Sequence, residues 1–391
     1  MSAESILASH RDGVITRCRH HRVVLAIQDT TDLNFTTHRA TQGLGFINQS
    51  HQQGIKVHSC FAVSGEGEPL GVLHQRSWSR AQRAGKKGQH PRKPIEEKES
   101  YRWLTTLQAA ETDMPESVQL IHMGDREADI FELFAQPRAD GSALLIRAEQ
   151  NRRIQHELTY LPRALEQVPV MGEQTIWLER NPQRAAREAH LQIRAMQVIL
   201  EVPRNHINRQ SLTPITLNAI LVEEATVAEG DTPIRWMLLT TLPISTFADV
   251  WQCVIWYSYR WRIERFHYTL KSGCRIEELQ LQQGERLLKA LATYNIVAWR
   301  LMHLTYHARL APEASCQTVL EPHEWRLLRR KFEPKNRSKK PPTIRQVVHW
   351  IARLGGFQAR KGDGEPGVKT LWRGLSRFHS LLEGVQLAAK T

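Results

Sequence analysis

The order of its strand-like and helix-like segments restricts the fold of this chain more than any other feature. The pattern is a strand at 22–29, two hairpin strands at 55–63 and 69–78, a helix at 95–111, a strand at 117–125, a helix directly after it, and a strand at 142–148. The first strand and the strand at 117–125 are apolar runs that end in an acid, Asp29 and Asp125 respectively. We therefore predict a mixed α/β sheet with helices on both faces, and two acids at strand ends, where such sheets usually build their sites.

The second half of the chain changes from a β-rich to a helical pattern. Short β-like runs between 150 and 243 predict a β-rich insertion, and a long helix is predicted from Ser245 or Thr246 to about Lys271. Thr246 and Asp249 suit a capping box at the start of this helix, and Gly273 is a natural end. Further helices are predicted at 283–310, 343–355 and 370–389. The predicted organisation is an N-terminal remnant or linker (1–21), the first part of the core (22–149), the β-rich insertion (150–243), the last part of the core (244–310) and a helical C-terminal region (311–391).

The charge of the chain favours a polyanionic partner. Its 391 residues carry a formal net charge of +13, which is typical of proteins that bind nucleic acid. Basic side chains cluster at 76–93, which is predicted to be a loop, and at 326–345, where Glu333 is the single acid. Such runs neutralise phosphates, although a solvated basic surface without a partner remains the alternative.

The composition argues against a membrane or secreted protein and against a disulfide-rich or zinc-stabilised one. Hydrophobic residues make up 41% and charged residues 24% of the chain, an ordinary globular mixture. We expect no transmembrane helix and no secretory signal, because no apolar run is long enough and the first residues lack the signal pattern. The five cysteines are scattered, which argues against a disulfide framework or a structural zinc site and fits a reducing cytoplasm.

The long helix carries a polar stripe. At about 100° per residue, four polar side chains lie on one face over about 21 Å, namely those of Tyr257, Arg260, Glu264 and Lys271. Trp256, Ile263 and Leu270 form an apolar flank beside them that suits packing on the sheet. Taken alone, this pattern also fits an ordinary amphipathic helix with a charged face.

Asp29 and Asp125 change the interpretation of this helix. Together with Glu264 they supply three carboxylates from two strands and a helix, which is enough to hold two divalent ions. Two such ions stabilise both the attacking and the leaving oxygen in a phosphoryl displacement. Mg²⁺ suits oxygen ligands and is the predicted cofactor, with Mn²⁺ as a substitute.

Four segments resemble those of bacterial insertion-sequence transposases of the Tn-five type: IQDTTDLNF (27–35), EKESYRWL (97–104), GDREADIF (124–131) and YSYRWRIERFHYTLK (257–271). The resemblance implies an RNase H-like core in which Asp29, Asp125 and Glu264 form the catalytic, metal-binding DDE triad. It further implies that Tyr257, Arg260 and Lys271 contact the phosphates of the transposon end. Trp236 stands where the family places a tryptophan that stacks on a flipped-out base, although it also fits a core position in a strand.

Four more residues and one segment are further candidates for function. Arg126 and Arg147 are predicted phosphate ligands, whereas Glu127 and Asp129 suit either the site or the start of the next helix. The segment 354–388 resembles the family's dimerisation region and implies a homodimer on DNA. Internal packing of its apolar positions is the alternative, which concerns Leu371, Leu375, Phe378, Leu381, Leu382 and Val385.

The resemblance implies cut-and-paste transposition of double-stranded DNA at the bacterial nucleoid, by 3′-end nicking, hairpin formation and resolution, and strand transfer. In that group a separate domain that reads the transposon end precedes the first catalytic aspartate. Here 28 residues precede Asp29, fewer than an independent domain needs, so we expect that domain to be lacking. Two other functions therefore stay open: an RNase H-like nuclease that only hydrolyses DNA, and a non-catalytic form that inhibits a full-length transposase by heterodimerisation.

Overall fold

The computed structural model describes residues 2–48, 51–81, 93–180, 184–227, 231–360 and 363–388. Most of the predicted basic loop at 76–93, including Arg83, Lys86, Lys87 and Arg92, lies outside the described residues. Within the described ranges, each helix is too short or too polar to cross a lipid bilayer.

The strands of the described chain form one mixed sheet. They are β1 (Val23–Asn34), β2 (Gly45–Phe46), β3 (Gln53–Ser64), β4 (Pro69–Trp78), β5 (Gln119–Gly124), β6 (Ala143–Arg147), β7 (Gly172–Leu178), β8 (Arg187–Leu200), β9 (Ile215–Glu224) and β10 (Arg235–Thr240). The order across the sheet is β2-β3-β1-β5-β6-β10-β9-β8-β7, and β4 also pairs with β3. β5 runs parallel to both β1 and β6, whereas the other pairs are antiparallel. The predicted mixed sheet is confirmed.

Helices cover both faces of this sheet. They are α1 (Ala3–Cys18), α2 (Tyr101–Glu111), α3 (Phe131–Ala135), α4 (Leu161–Gln167), α5 (Phe247–Ser258), α6 (Trp261–Tyr268), α7 (Gly284–Leu310), α8 (Pro322–Phe332), α9 (Ile344–Leu354) and α10 (Val368–Ala388). Alternate residues of β1 point to opposite faces. Leu25 and Ile27 join the core under α5, α6 and α7, whereas Val24 and Ala26 pack with α1 on the other face.

The β-rich segment at 150–243 continues the sheet and does not form a separate layer. β10 pairs antiparallel with β6, from Leu238 opposite Arg147 to Thr240 opposite Leu145. β9, β8 and β7 then follow as antiparallel neighbours. Because β6 also pairs with β5, hydrogen bonds link this segment through β6 to the strand that precedes Asp125.

The first 21 residues, which were predicted to be a remnant or linker, contain a packed helix. Ser2 and Ser5 form a capping box at the start of α1. Val14 and Cys18 are buried against the hairpin, and Arg17 Nε donates a hydrogen bond of 2.7 Å to the carbonyl of Leu70. This segment is therefore part of the folded core.

The long helix that was predicted from 245 to 271 is interrupted, so this prediction was wrong. The capping box is present, with Thr246 N donating to the Asp249 carboxylate at 2.8 Å. However, α5 ends at Ser258, and the turn before α6 is tightened because Arg260 N bonds to the carbonyl of Tyr257 at 3.0 Å. A tighter turn has about three residues per turn, so the angles computed for an ideal helix do not hold across it. A π-helical turn, Thr269–Gly273, then ends at the predicted glycine.

Candidate active site

Asp29 and Asp125 lie next to each other on neighbouring parallel strands. The parallel register of β1 and β5 ends with Ile27 opposite Met123, and each aspartate lies two residues beyond this pair. Paired strands are about 4.8 Å apart, and side chains two residues apart share a face. Both carboxylates therefore belong to the face that Ile27 and Met123 present to the helical core.

The two aspartates differ in their place along their strands. Asp125 follows the end of β5, as predicted. Asp29 lies inside β1 and not at its end, so that prediction was wrong. β1 continues to Asn34 because β3 pairs with it along this whole length, with Asp29 opposite Ser59. The strand thus extends beyond its parallel partner and leaves Asp29 at the point where that partner stops.

Hydrogen bonds to the backbone hold both carboxylates. Asp29 Oδ1 accepts from Thr30 N at 2.8 Å, and His267 Nδ1 lies 3.5 Å from Asp29 Oδ2. Asp125 Oδ1 accepts from Glu127 N at 2.9 Å. Burial raises the pKa of Asp125, and the negative charge of Asp29 adds to this rise. The negative charge at this edge of the sheet is therefore only partly compensated.

Glu264 lies on a helix that is anchored over the same face. Phe266 stacks on Phe61 of β3 with ring centroids 4.8 Å apart, and Ile263 is fully buried. Phe61 pairs with Ile27, which fixes α6 above β1 near the aspartates. The Glu264 carboxylate, however, accepts a hydrogen bond of 2.5 Å from the guanidinium of Arg260.

The three acids do not form a closed cluster of ligand atoms. Ligand atoms within 4.8 Å of one another occur in one group of the described chain, Glu68 with His303 and His307, and this group does not include the acids. Arg260 is buried, and the charges of Glu264 and Asp29 both favour its ionised form. The guanidinium thus provides positive charge among the acids. Oxygen donors of this kind suit Mg²⁺, and the raised pKa of Asp125 is consistent with a place for a cation.

Tyr257 and Trp236 lie beside this site. Their rings meet edge to face, with centroids 5.4 Å apart. Tyr257 is buried, its hydroxyl has no hydrogen-bond partner within the described chain, and burial raises its pKa to about 12. Trp236 is only half-buried. The pair leaves an aromatic surface and an unsatisfied hydroxyl close to Arg147 and Arg260, whose charges act on Tyr257.

The basic residues that were predicted to bind phosphates lie in two separate places. Arg126 is exposed and pairs with Glu149 at 3.1 Å, and it lies close enough to Arg147 for their charges to interact. Arg147 donates to the carbonyl of Arg235 at 3.2 Å. Lys271 lies apart from these two, because its Nζ donates to the carbonyl of Asp32 at 2.8 Å.

The second basic stretch, at 326–345, contains both buried and exposed basic side chains. Arg329 is buried and donates to the carbonyls of Ser338 and Lys340, each at 2.5 Å, so it holds the local chain in place. Arg326, Arg330, Lys335 and Arg337 are exposed and leave their charge available to a partner.

Arg102 was missed by the sequence reasoning. It is buried beside the acids, its Nε donates to the Thr30 hydroxyl at 3.0 Å, and another nitrogen donates to Glu127 at 2.7 Å. Its charge partly offsets the rise in the pKa of Asp125. The segment EKESYRWL contains this arginine, but its spacing gave no signal of contact with a strand far away in sequence.

Asp129 proves to be a structural acid. It is fully buried, accepts from Glu149 N at 2.8 Å and Gln150 N at 2.7 Å, and pairs with Arg152 at 2.6 Å. Glu127, in contrast, has an exposed carboxylate. Asp129 therefore belongs to the core, whereas Glu127 lies at the rim of the site.

The fold and these acids define a class: a mixed α/β protein with carboxylates gathered at the end of a parallel strand pair. The family model described as "Transposase DDE domain" matches residues 44–300, and the model described as "Transposase Tn5 dimerisation domain" matches residues 296–391. The chain belongs to the DDE transposase family, as a Tn5-type core with its C-terminal region. The predicted RNase H-like fold is confirmed, and the family implies a polynucleotidyl-transferase type of activity. Asp125 and Glu264 lie within the residues matched by the DDE model, whereas Asp29 precedes them.

Proposed function

We propose that this protein is a DNA transposase that cuts and joins DNA ends, with Asp29, Asp125 and Glu264 as its catalytic and metal-binding residues. The observation that carries this proposal is the pair of aspartates at the end of the β1–β5 register, beneath the helix that bears Glu264. Burial and mutual repulsion raise the pKa of Asp125, as expected where a cation is to be received.

The proposed cofactor is Mg²⁺, with Mn²⁺ as a substitute. Divalent cations at such carboxylates activate the attacking oxygen and stabilise charge on the phosphate. Asp29, Asp125 and Glu264 would hold the cation, and Glu264 would then give up its hydrogen bond with Arg260. Arg260 would be free to donate to a DNA phosphate.

The neighbouring residues support a DNA-binding role. Arg126, Arg147 and Lys271 are proposed to bind phosphates, and the net charge of +13 supports such a partner. The half-buried Trp236 offers a face for an unpaired base, a contact worth about 1–3 kcal/mol. The unpartnered hydroxyl of Tyr257 is proposed to donate to a phosphate.

The proposed reaction is cut-and-paste transposition of double-stranded DNA. Water first nicks the transposon end and leaves a 3′-hydroxyl. This hydroxyl attacks the opposite strand to form a hairpin, and hydrolysis of the hairpin frees it again for attack on target DNA. Each step is a phosphoryl displacement, so one set of carboxylates and phosphate ligands serves all of them.

The C-terminal region, which we place at 311–391, is proposed to form a homodimer on DNA. Leu371, Leu375, Phe378 and Leu382 are buried within the chain, so internal packing accounts for these four. Leu381, Val385 and Leu387 remain exposed on α10. Leu381 and Val385 lie one helical turn apart, and this exposed apolar pair, on a region that matches a dimerisation domain, supports contact with a second copy.

The test is strand transfer of a pre-cut oligonucleotide into plasmid DNA with Mg²⁺. The wild type should join the two, and Glu264→Gln should reduce cleavage and joining by at least about 10⁴-fold. DNA affinity should stay within about threefold, since the basic surface that supplies most of the binding is unchanged. Glu278→Gln, which alters an exposed glutamate outside the site, serves as the matched control.

Other outcomes would support the alternatives. Nicking without a joined product would favour an RNase H-like nuclease. A chain that neither cuts nor joins, yet inhibits a full-length relative in a dose-dependent manner, would favour the heterodimer. Cleavage by Glu264→Gln at the rate of the wild type would refute the assignment of the three acids.

A further inference from the structure

A second group of metal-ligand side chains lies away from the acids. Glu68 ends the turn between β3 and β4, and His303 and His307 lie one turn apart on α7. His307 Nε2 is 3.0 Å from Glu68 Oε1, His303 Nε2 is 3.4 Å from the same oxygen, and the two ring nitrogens are 3.1 Å apart. Three donor atoms therefore face one another at close range.

These separations match the edges of a tetrahedral zinc site. Zinc lies about 2.0–2.1 Å from imidazole nitrogen and carboxylate oxygen, so two ligands of a tetrahedral ion are about 3.3 Å apart. The three observed separations span 3.0–3.4 Å. Two imidazoles and one carboxylate also suit zinc and similar transition metals better than Mg²⁺, which prefers oxygen ligands.

The surroundings leave a place for a fourth ligand. His21, which follows α1, has its Nε2 3.9 Å from the other oxygen of Glu68. The Trp299 ring covers one side of the cluster, with its centroid 5.5 Å from that of His303. Arg17 stacks on Trp299 at 4.0 Å and donates to the Leu70 carbonyl, and its charge acts on both Glu68 and His303.

This cluster is separate from the acids. Gly65 N, in the same turn as Glu68, donates to the carbonyl of Val23 at 3.0 Å, which puts the turn at the start of β1. Asp29 lies six residues further along this strand, about 20 Å away at 3.3 Å per residue. One ion cannot be shared over such a distance.

We propose that Glu68, His303 and His307 bind one zinc-class divalent transition metal ion, with His21 or water as the fourth ligand. The ion would fasten the β3–β4 turn to α7, which are connected here by few other polar contacts, such as the 3.4 Å hydrogen bond from Tyr306 to the Glu66 carbonyl. The site is structural in this proposal and does not take part in DNA cleavage.

Zinc titration of the full chain, after treatment with a chelator, tests the proposal. One zinc ion should bind per chain, and the midpoint of thermal unfolding should rise with zinc concentration. His303→Gln and Glu68→Gln should each weaken zinc binding by at least about 10- to 100-fold. His349→Gln is the matched control, because His349 also pairs with a glutamate, Glu365, but on the surface of α9.

A second variant separates this site from the acids. Zinc should bind to Asp29→Asn/Asp125→Asn with the stoichiometry and affinity of the wild type, whether or not that variant cleaves DNA. Loss of binding in this variant would move the zinc site to the acids and overturn the proposal. Equal binding by the wild type and His303→Gln, or absence of zinc binding to the wild type at micromolar concentration, would overturn it as well.

A measurement on the wild type alone covers the case in which the variants fail to fold. X-ray absorption of the zinc-loaded chain should show two or three imidazole ligands and one or two further oxygen ligands. Cobalt in place of zinc should give the strong visible absorption of a four-coordinate ion. An all-oxygen or six-coordinate environment would refute the site.

Discussion

Two groups of candidate metal ligands lie along β1, one at its start and one around its middle, and the fold prepares them to different degrees. At its start, Glu68, His303 and His307 already have donor atoms 3.0–3.4 Å apart. Around its middle, where Asp29 lies, the acids do not all lie within 4.8 Å of one another, and Glu264 hydrogen-bonds to Arg260. One strand thus connects a closed ligand set with an open one.

The charge of the two ligand groups explains why the first is closed and the second is open. Two imidazoles and one carboxylate carry at most one negative charge, and they satisfy one another by hydrogen bonding. Three ionised carboxylates repel, and like charges at close range are costly when partly buried. The acids therefore rely on Arg260 and Arg102 in the absence of a cation. The comparison teaches that a ligand set with little net charge can close in advance, whereas three carboxylates stay apart until positive charge offsets their repulsion.

The largest expected effect concerns Asp129, the acid with the most complete set of partners. Asp129→Ala should lower the free energy of unfolding by about 3–5 kcal/mol, because it leaves Arg152 buried without its counter-ion. Urea unfolding measures this loss. Glu127→Ala is the control and should change the same free energy by no more than about 1 kcal/mol, since its carboxylate is exposed. Equal losses for both variants would contradict the division between structural and functional acids.

A smaller effect concerns the dependence of the free energy of unfolding on pH through His10, a buried histidine of α1. Burial, with help from Arg17, lowers the pKa of His10 to about 4. The unfolded chain binds this proton near pH 6.5, so folding is favoured above that value and the advantage is lost as pH falls toward 4. Through His10, the free energy of unfolding should fall by about 2 kcal/mol between pH 7 and pH 5.

His10→Gln isolates this contribution. The glutamine oxygen can accept the hydrogen bond that Val72 N now donates to His10 Nε2 at 3.2 Å. The free energy of unfolding of this variant should fall less steeply between pH 7 and pH 5 than that of the wild type. Parallel pH profiles for the two proteins would show that His10 is not responsible.

The smallest effect concerns Asp125. Because its pKa is raised in the folded state, protonation favours folding at low pH, and that advantage is lost as pH rises through the folded pKa. At neutral pH without divalent cations, Asp125→Asn should therefore raise the midpoint of thermal unfolding by about 1–2 °C. Mg²⁺ should raise the midpoint of the wild type but not that of the variant. A lower midpoint for the variant in chelator would contradict this view of the acids.

Local patterns predicted much of the fold. Alternating and apolar runs marked β3, β4, β5 and β6, and the capping box of Thr246 and Asp249 marked the start of α5. Asp125 was also predicted correctly to follow a strand, because it ends an apolar run. These features depend on neighbours within a few residues, so the sequence contains the information directly.

Features that depend on distant partners were not predicted. The extension of β1 beyond Asp29 follows from its pairing with β3, and the tightened turn at Arg260 contains neither proline nor glycine to announce it. The pairing of Glu264 with Arg260 was also unforeseen, although the two are four residues apart. His303 and His307 have a spacing typical of metal ligands on a helix, but Glu68 lies in a distant hairpin turn.

The pairing of β10 with β6 limits how this protein can be shortened by engineering. The strands between 172 and 240 cannot be cut out as a cassette, because β6 would lose its antiparallel neighbour and become an open edge. Such an edge invites pairing with other chains. A shortened version for biotechnology would therefore need a replacement strand in this position, and not merely a shorter loop.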